Sequence, residues 1–462
     1  MLRAAIRAGA VFALAVLVSW PAAPRVTAFV RPPKLPYQLH KLPNGLTVIL
    51  SEDRSTPIVH SQIWYHVGSK DEQPGRTGFA HLFEHMMFKG SKNVRPEEHT
   101  SAVAGVGGQS NAYTTEDVTV FWNTVPAHDL PLVLWLEADR MATLRVDEQT
   151  FRKEREVVKE ERRMRVDNQP YGRLQEHIYD QAFTVHPYKH PTIGSLADLE
   201  SAAIGEVRRF YETYYVPGNA TLVLVGDFDS AQALELVTKH LGPVPAGVAP
   251  IARNVPKEPP QARERRVTLY EDWPLPVVVV AHHITYDGDP DSYPLHIAAK
   301  ILSDGQSSRI FRRLVYDDQV AVAAFGQANL IEHPNLFYAV AMVQPGQAPD
   351  AAARALIEEL DRLKAEPVTD RELQRAKNQF ARDYVVGRES IQQKGTHLAH
   401  AYVLHEGDVT TADGEFDLFQ RTSVEDVQRV AKRYFTPESR LVLTVLPKSA
   451  AGPSAARKGE GR

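Results

Sequence analysis

Val207-Arg208-Arg209-Phe210-Tyr211-Glu212-Thr213-Tyr214-Tyr215-Val216-Pro217, followed by Leu222-Val223-Leu224-Val225, is matched without a gap 220 residues later by Val427 to Pro437 and Val442 to Val445. Each copy reads as an amphipathic helix closing on an aromatic pair, a proline turn and a short apolar strand. A fixed offset of this length predicts a duplicated chain. The length of 462 residues agrees, since it exceeds what one hydrophobic core usually sustains and suits two domains of roughly 200 residues. Between the copies, Val248 to Arg263 carries Pro250, Pro256, Pro259 and Pro260 among charges, a linker composition. The expected domains are therefore 35–247 and 264–448, joined by 248–263. Each opens with strand-like runs, Leu46 to Leu50 and Ile58 to Val67 in the first, Arg266 to Tyr270 and Pro276 to Ile284 in the second, and helical patterns follow. Strands grouped with helices, without regular βαβ alternation, predict an α+β fold. We expect two homologous α/β sandwich domains, each an antiparallel-rich sheet with helices packed on one face.

Composition narrows the function. With 43% hydrophobic and 24% charged residues the chain is an ordinary globular protein. Its 53 basic and 57 acidic residues nearly balance, so no single-sign field favours nucleic acid or an anionic membrane as partner. Arg3 and Arg7 precede an apolar run from Ala8 to Trp20, then Pro21 and small residues ending Val26-Thr27-Ala28. That is the pattern of a secretory signal peptide over 1–28; the run falls short of the ~20 residues a permanent span needs, so no stable anchor is expected after cleavage. The chain is expected in the periplasm. After Pro447 the residues become small and charged, and 449–462 is expected to be a disordered tail. There is no cysteine, which excludes disulfides, thiol catalysis and thiolate ligands and leaves His, Asp and Glu for any metal.

The strongest chemical signal is His81-Leu82-Phe83-Glu84-His85, between Gly78-Phe79-Ala80 and Met86-Met87-Phe88-Lys89-Gly90. Apolar neighbours and Gly90 as a stop predict a partly buried helix. His81 and His85, four apart, share one face and can reach one tetrahedral ion. Glu84 lies along the same side, where it can act on a water without being a ligand. This is the reversed form of the zincin motif. Burying two imidazoles and a carboxylate in an apolar helix is costly unless a cation compensates them. A catalytic zinc needs a third ligand, and the helix from Glu154 to Arg165 offers Glu154, Glu156, Glu160 and Glu161. The same glutamates, interleaved with Lys153, Arg155, Lys159, Arg162 and Arg163, would equally make a solvated, ion-paired helix, and pattern alone does not choose among them.

The chain after the signal peptide resembles the pitrilysin and mitochondrial processing peptidase family of inverted zincins. The resemblance is carried by Leu42-Pro43-Asn44-Gly45-Leu46, the His81 to His85 motif, Gly107-Gly108 with Asn111-Ala112-Tyr113-Thr114, Glu154 to Glu161, His186-Pro187-Tyr188 and Asn219 to Asp227. It implies one Zn2+ per chain and hydrolysis of peptides by a metal-activated water, with Glu84 as general base. It places the third ligand on Glu161, with Glu160 as the alternative, and makes Glu154 an acid that orients the site. It further implies that Asn111, Ala112 and Tyr113, leading into Val118 to Trp122, form the edge strand along which an extended peptide is laid. An ordinary amphipathic strand is the competing reading of that segment. His186 and His190, beside Pro187 and Pro191, are expected to be structural.

One departure bears on partners. Active single-chain members of the family carry an arginine and a tyrosine seven apart in the second domain. Aligning Ser307-Ser308-Arg309-Ile310-Phe311 places Tyr316 and Ala323 at those positions. The absence of the pair implies a heterodimer with a paralogous subunit that supplies it; a homodimer in which Arg309, Arg312 or Arg313 substitutes is the second reading. A non-catalytic assembly subunit of the same fold and a zinc hydrolase of non-peptide substrates are the rival functions.

Overall fold

The two matched segments fold alike. In the computed structural model, which describes residues 31–247 and 251–450, Ile204–Tyr214 and Val424–Tyr434 are helices and the segments after them are central strands. The first sheet contains β1 (Gln38–Lys41), β2 (Thr47–Glu52), β3 (Ile58–Tyr65), β4 (Gln109–Thr114), β5 (Thr119–Pro126) and β6 (Ala220–Gly226), in the order β1-β2-β6-β3-β5-β4. The second contains β7 (Arg265–Glu271), β8 (Val277–His283), β9 (Ala321–Ala328), β10 (Leu336–Val343) and β11 (Arg440–Pro447), in the order β7-β11-β8-β10-β9. Apart from the extra β1, the orders coincide. In each sheet one pair is parallel, β2 with β6 and β7 with β11, and the remaining pairs are antiparallel. The duplication read from the sequence is thus a duplication of topology.

The central strands β3, β6, β8, β10 and β11 are buried along nearly their whole length, polar His60, Ser61 and Gln62 of β3 included, as in a sheet covered on both faces. One face of the first sheet, with Val48, Leu50, Ile63, Phe121, Leu222 and Leu224, packs on its own half's helices through residues such as Phe83, Leu134 and Val158. Its other face presents Ile49, Trp64, Val120, Val223 and Val225 to Ile391, Leu398, Ala399 and Ala401 of the helix Ile391–Leu404, which comes from the second half. The second sheet reciprocates. Val277, Val279, Ala281, Val340 and Leu443 pack against Ile178, Tyr179 and Ala182 of the helix Leu174–Ala182 and against Phe183, all from the first half. Shifted by 220 residues, 174–182 falls inside 391–404, so the halves exchange equivalent helices. At about 1.5–3 kcal/mol per fully buried large side chain, the exchange ties the halves firmly. The described residues from Leu35 onward accordingly form one compact unit. The expected helices on one face are present; the covering of the second face by the other half is an addition that apolar runs alone do not reveal.

Two local readings change. Asn111 to Trp122 is a hairpin of two strands, not one, because Thr115 accepts from the backbone N–H groups of Asp117 and Val118 and turns the chain; the outer strand is β4 alone. The described part of the linker, 251–263, forms neither helix nor strand, and two of its side chains are anchored, Arg253 on Asp71 at 3.0 Å and Glu258 on the backbone N–H groups of Thr184, Val185 and His186. The signal peptide expected over 1–28 lies outside the described residues, as does the tail beyond Ala450; Lys448–Ala450 forms one 3₁₀ turn.

Candidate metal centre

The helix Phe79–Met86 begins without a side-chain cap, because Gly78 precedes it with φ 91°. Glu72 takes that role: its carboxylate accepts the N–H groups of Gly78 and Ala80, each at 2.8 Å, satisfying donors that the first turn leaves unpaired. Gly78 also crosses Gly194 closely. A Cβ on Gly78 would lie 2.7 Å from the Ile193 carbonyl oxygen, and one on Gly194 would lie 2.5 Å from Gly78. Phe79, Ala80, Leu82, Phe83 and Met86 are buried, and Phe83 stacks on Tyr211 and Tyr215 with ring centroids 5.9 and 5.2 Å away. That packing leaves His81, Glu84 and His85, all half-buried, on the opposite side.

Opposite them runs Glu148–Arg162, capped by Asp147, which accepts the Thr150 N–H at 2.9 Å. Glu154 and Glu161, two turns apart, reach the histidine pair. Glu161 Oε2 lies 3.1 Å from His85 Nε2 and 3.8 Å from His81 Nε2. The three ligand atoms all lie within 4.8 Å of one another. Donors bonded at 2.0–2.2 Å to a tetrahedral ion stand about 3.3 Å apart, so these spacings fit a zinc ion and the two-imidazole, one-carboxylate set suits it. Glu160 points away, 58% exposed and paired with Arg163. Glu154, only 1% exposed, lies 3.8 Å from His85 Nδ1 and 3.3 Å from Lys89 Nζ, where it can orient the imidazole.

The electrostatics follow from burial. Burial, followed by the neighbouring His85, pushes His81 down to about 4. For His85 burial acts in the same direction, but hydrogen bonds to Glu154 and Glu161 outweigh it and raise the ring to about 9 in the metal-free protein. Glu161 is held below the usual carboxylate range, first by His85. Glu84 is raised by burial, against the Thr114 hydroxyl, which donates to Glu84 Oε2 at 2.6 Å.

These groups line a cleft of about 500 Å³ together with Phe88, Lys89, Glu97, Asn111, Ala112, Tyr113, Thr114 and Arg165. The segment Asn111 to Tyr113 therefore does border the centre, on β4, whose outer edge pairs with no strand in the sheet. Three contributors escaped the sequence reading in their roles: Thr114 on Glu84, Lys89 on Glu154, and Arg165, whose guanidinium lies 2.7 Å from Glu161 Oε1. Lys89 and Arg165 each follow a metal-facing residue by four, a spacing that signals a helix-face neighbour. In the second half, Tyr316 is 55% exposed and Ala323 lies on β9. Arg309 and Arg313 are engaged by Glu372 and by Glu358 and Glu359, and Arg312 is 72% exposed. His186 accepts the Tyr188 N–H in a tight turn, a structural role.

A duplicated α/β sandwich with this donor set defines an inverted-zincin metallopeptidase architecture. The chain belongs to peptidase family M16: residues 47–196 match the family's insulinase model and residues 202–380 the model described as the peptidase M16 inactive domain. It is 30% identical to the zinc protease PqqE of Helicobacter pylori over 85% of this chain and 89% of that one. It is 24% identical to the probable mitochondrial-processing peptidase subunit beta of Arabidopsis thaliana, over 85% and 75%. A crystal structure of a Helicobacter pylori protease superposes with a TM-score of 0.85 at 29% identity, covering 90% of this chain and all of that one.

Proposed function

We propose that the chain is a zinc-dependent endopeptidase, exported to the periplasm, in which His81, His85 and Glu161 hold one zinc ion and Glu84 moves the proton. The observation that carries the reading is the convergence of these four side chains, from two helices, on one cleft beside an unpaired strand edge. When bound, zinc supplies Lewis acidity, lowering the pKa of water and polarising a carbonyl. Glu84 takes the proton at its carboxylate and returns it to the leaving amine, and Thr114 fixes the orientation of that carboxylate. Glu154 and Lys89 hold His85 in place. The free edge of β4, with Asn111, Ala112 and Tyr113, receives an extended peptide through main-chain hydrogen bonds.

The catalytic chain acts with a paralogous subunit. Two things support this: Tyr316 and Ala323 stand where a substrate-binding arginine and tyrosine are expected, and one relative is named as a subunit. The halves 35–247 and 264–448 are the units of the duplication. The Ala8 to Trp20 run supports export. The test is cleavage of unstructured peptides by the purified chain, alone and mixed with candidate paralogues, with and without chelator. Turnover that needs zinc, rises with the paralogue and falls by about 10²-fold or more in Glu84→Gln at unchanged zinc content is expected. Full turnover in Glu84→Gln contradicts the mechanism, and zinc binding without cleavage in any combination favours an assembly subunit.

A further inference from the structure

Among the described residues a second trio has metal-ligand spacing, and it lies outside the centre above. Asp287 sits in the loop after β8, its N–H bonded to the Ile331 carbonyl at 2.8 Å. His400 belongs to the exchanged helix Ile391–Leu404, and His405 immediately follows that helix. Asp287 Oδ2 lies 3.0 Å from His405 Nε2 and 3.7 Å from His400 Nε2. The corresponding spacings around Glu161 are 3.1 and 3.8 Å, so the two trios share one metric pattern.

The backbone is bent to produce this convergence. At 3.6 residues per turn, positions five apart on a continuous helix point about 140° away from each other. Here the helix ends at Leu404 and His405 leaves it with φ −116° and ψ 49°. The turn swings His405 back so that both imidazoles face one carboxylate oxygen. A simple His405–Asp287 ion pair would use one imidazole and leave the second without a purpose; His400 has no other ion-pair partner among the described residues. Glu415, on the helix Thr411–Arg421, is near enough to interact electrostatically with Asp287 and His405 and adds a second acidic side chain beside the trio. Asp287 and His405 are 17% and 7% exposed, whereas His400 is 41% exposed and gives the ion an entrance.

We propose that Asp287, His400 and His405 form a second divalent-cation site, of the nitrogen- and oxygen-donor kind that suits zinc, cobalt or nickel. Its ion braces the C-terminal end of the exchanged helix, which lies on the first sheet, against a loop of the second half. The role is structural and leaves the catalytic centre untouched.

The test is zinc titration of untagged, chelator-stripped full-length protein, with bound metal measured by mass spectrometry after equilibrium dialysis. Two equivalents per chain are expected, falling to one in His81→Ala, one in Asp287→Asn and none in the double variant. In the His81→Ala background zinc should still raise Tm by several degrees, and Asp287→Asn should abolish that shift. If Asp287→Asn does not fold, His400→Gln, whose side chain is partly exposed, serves in its place. A single equivalent in the wild type that His81→Ala removes overturns the proposal, as does a count of two that neither Asp287→Asn nor His400→Gln lowers. An equivalent that His81→Ala leaves in place while Asp287→Asn removes it would count against the catalytic centre alone.

Discussion

Thr114 turns a carboxylate into a positioned one. Its hydroxyl donates to Glu84 Oε2 from the strand that borders the cleft, so the residue proposed to move the proton is fixed by the strand proposed to receive the peptide. Removing the hydroxyl in Thr114→Val should lower kcat about tenfold at unchanged zinc content, while Thr114→Ser should keep most of the activity, because a single oriented hydrogen bond to a charged group is worth about 1.5–3 kcal/mol. Wild-type kcat in Thr114→Val would show that Glu84 needs no such partner. At this scale the sequence was informative where geometry is local. His81, Glu84 and His85 could be placed on one face because four residues make nearly one helical turn. Glu161 and Glu160 could not be separated by spacing, since both follow the same charged pattern; what separates them is tertiary, Glu161 facing His85 and Glu160 facing solvent and Arg163.

At the scale of elements, the metal-facing helix depends on things outside it. Its first turn is capped by Glu72, its entry requires the left-handed Gly78 packed on Gly194, and its rear face rests on Phe210, Tyr211 and Tyr215. Gly78→Ala should therefore cost at least about 1–2 kcal/mol from the left-handed backbone alone, read as a lower urea midpoint, with weaker zinc retention following from a displaced helix start. An unchanged midpoint would mean that the crossing has slack that the 2.7 Å approach to Ile193 denies. The aromatic support belongs to the segment whose repetition revealed the fold, so that stretch signalled both the duplication and the floor of the site. Most strands were legible as apolar runs. The β4–β5 hairpin was not, because Thr115 to Val118 carries no glycine or proline to mark its turn.

For the whole molecule, the exchange of helices is reinforced by a buried ionic knot between the halves. Lys70, fully buried, lies 3.1 Å from Asp117 and 2.7 Å from Glu332 of the second half, and Glu332 also meets His66 at 2.8 Å. Burial opposes the Glu332 charge, but the His66 hydrogen bond and the Lys70 charge prevail and hold its carboxyl down to about 2, below the ordinary 4.5. A folded-state value below the unfolded one means stability that is complete above about pH 4.5 and is lost as pH falls toward 2. Glu332→Gln should thus lower Tm at neutral pH, by leaving Lys70 short of a partner, and flatten the fall of Tm below pH 4.5 relative to the wild type. Parallel curves would show that the knot contributes nothing in that window. The duplication was readable from a constant offset, whereas the exchange was not, since a strand buried on both faces does not record which half supplies the second cover.

The proposed hydrolysis depends on one ion held between His81, His85 and Glu161. Anomalous scattering at the zinc edge from crystals of the Glu84→Gln protein tests this most directly. The expected result is a strong peak in the cleft, separate from any peak at Asp287, His400 and His405, and about 2.0–2.2 Å from His81 Nε2, His85 Nε2 and a Glu161 carboxylate oxygen. A cleft without a peak in zinc-loaded crystals, or a peak bound by the histidines with Glu161 turned away, would contradict it.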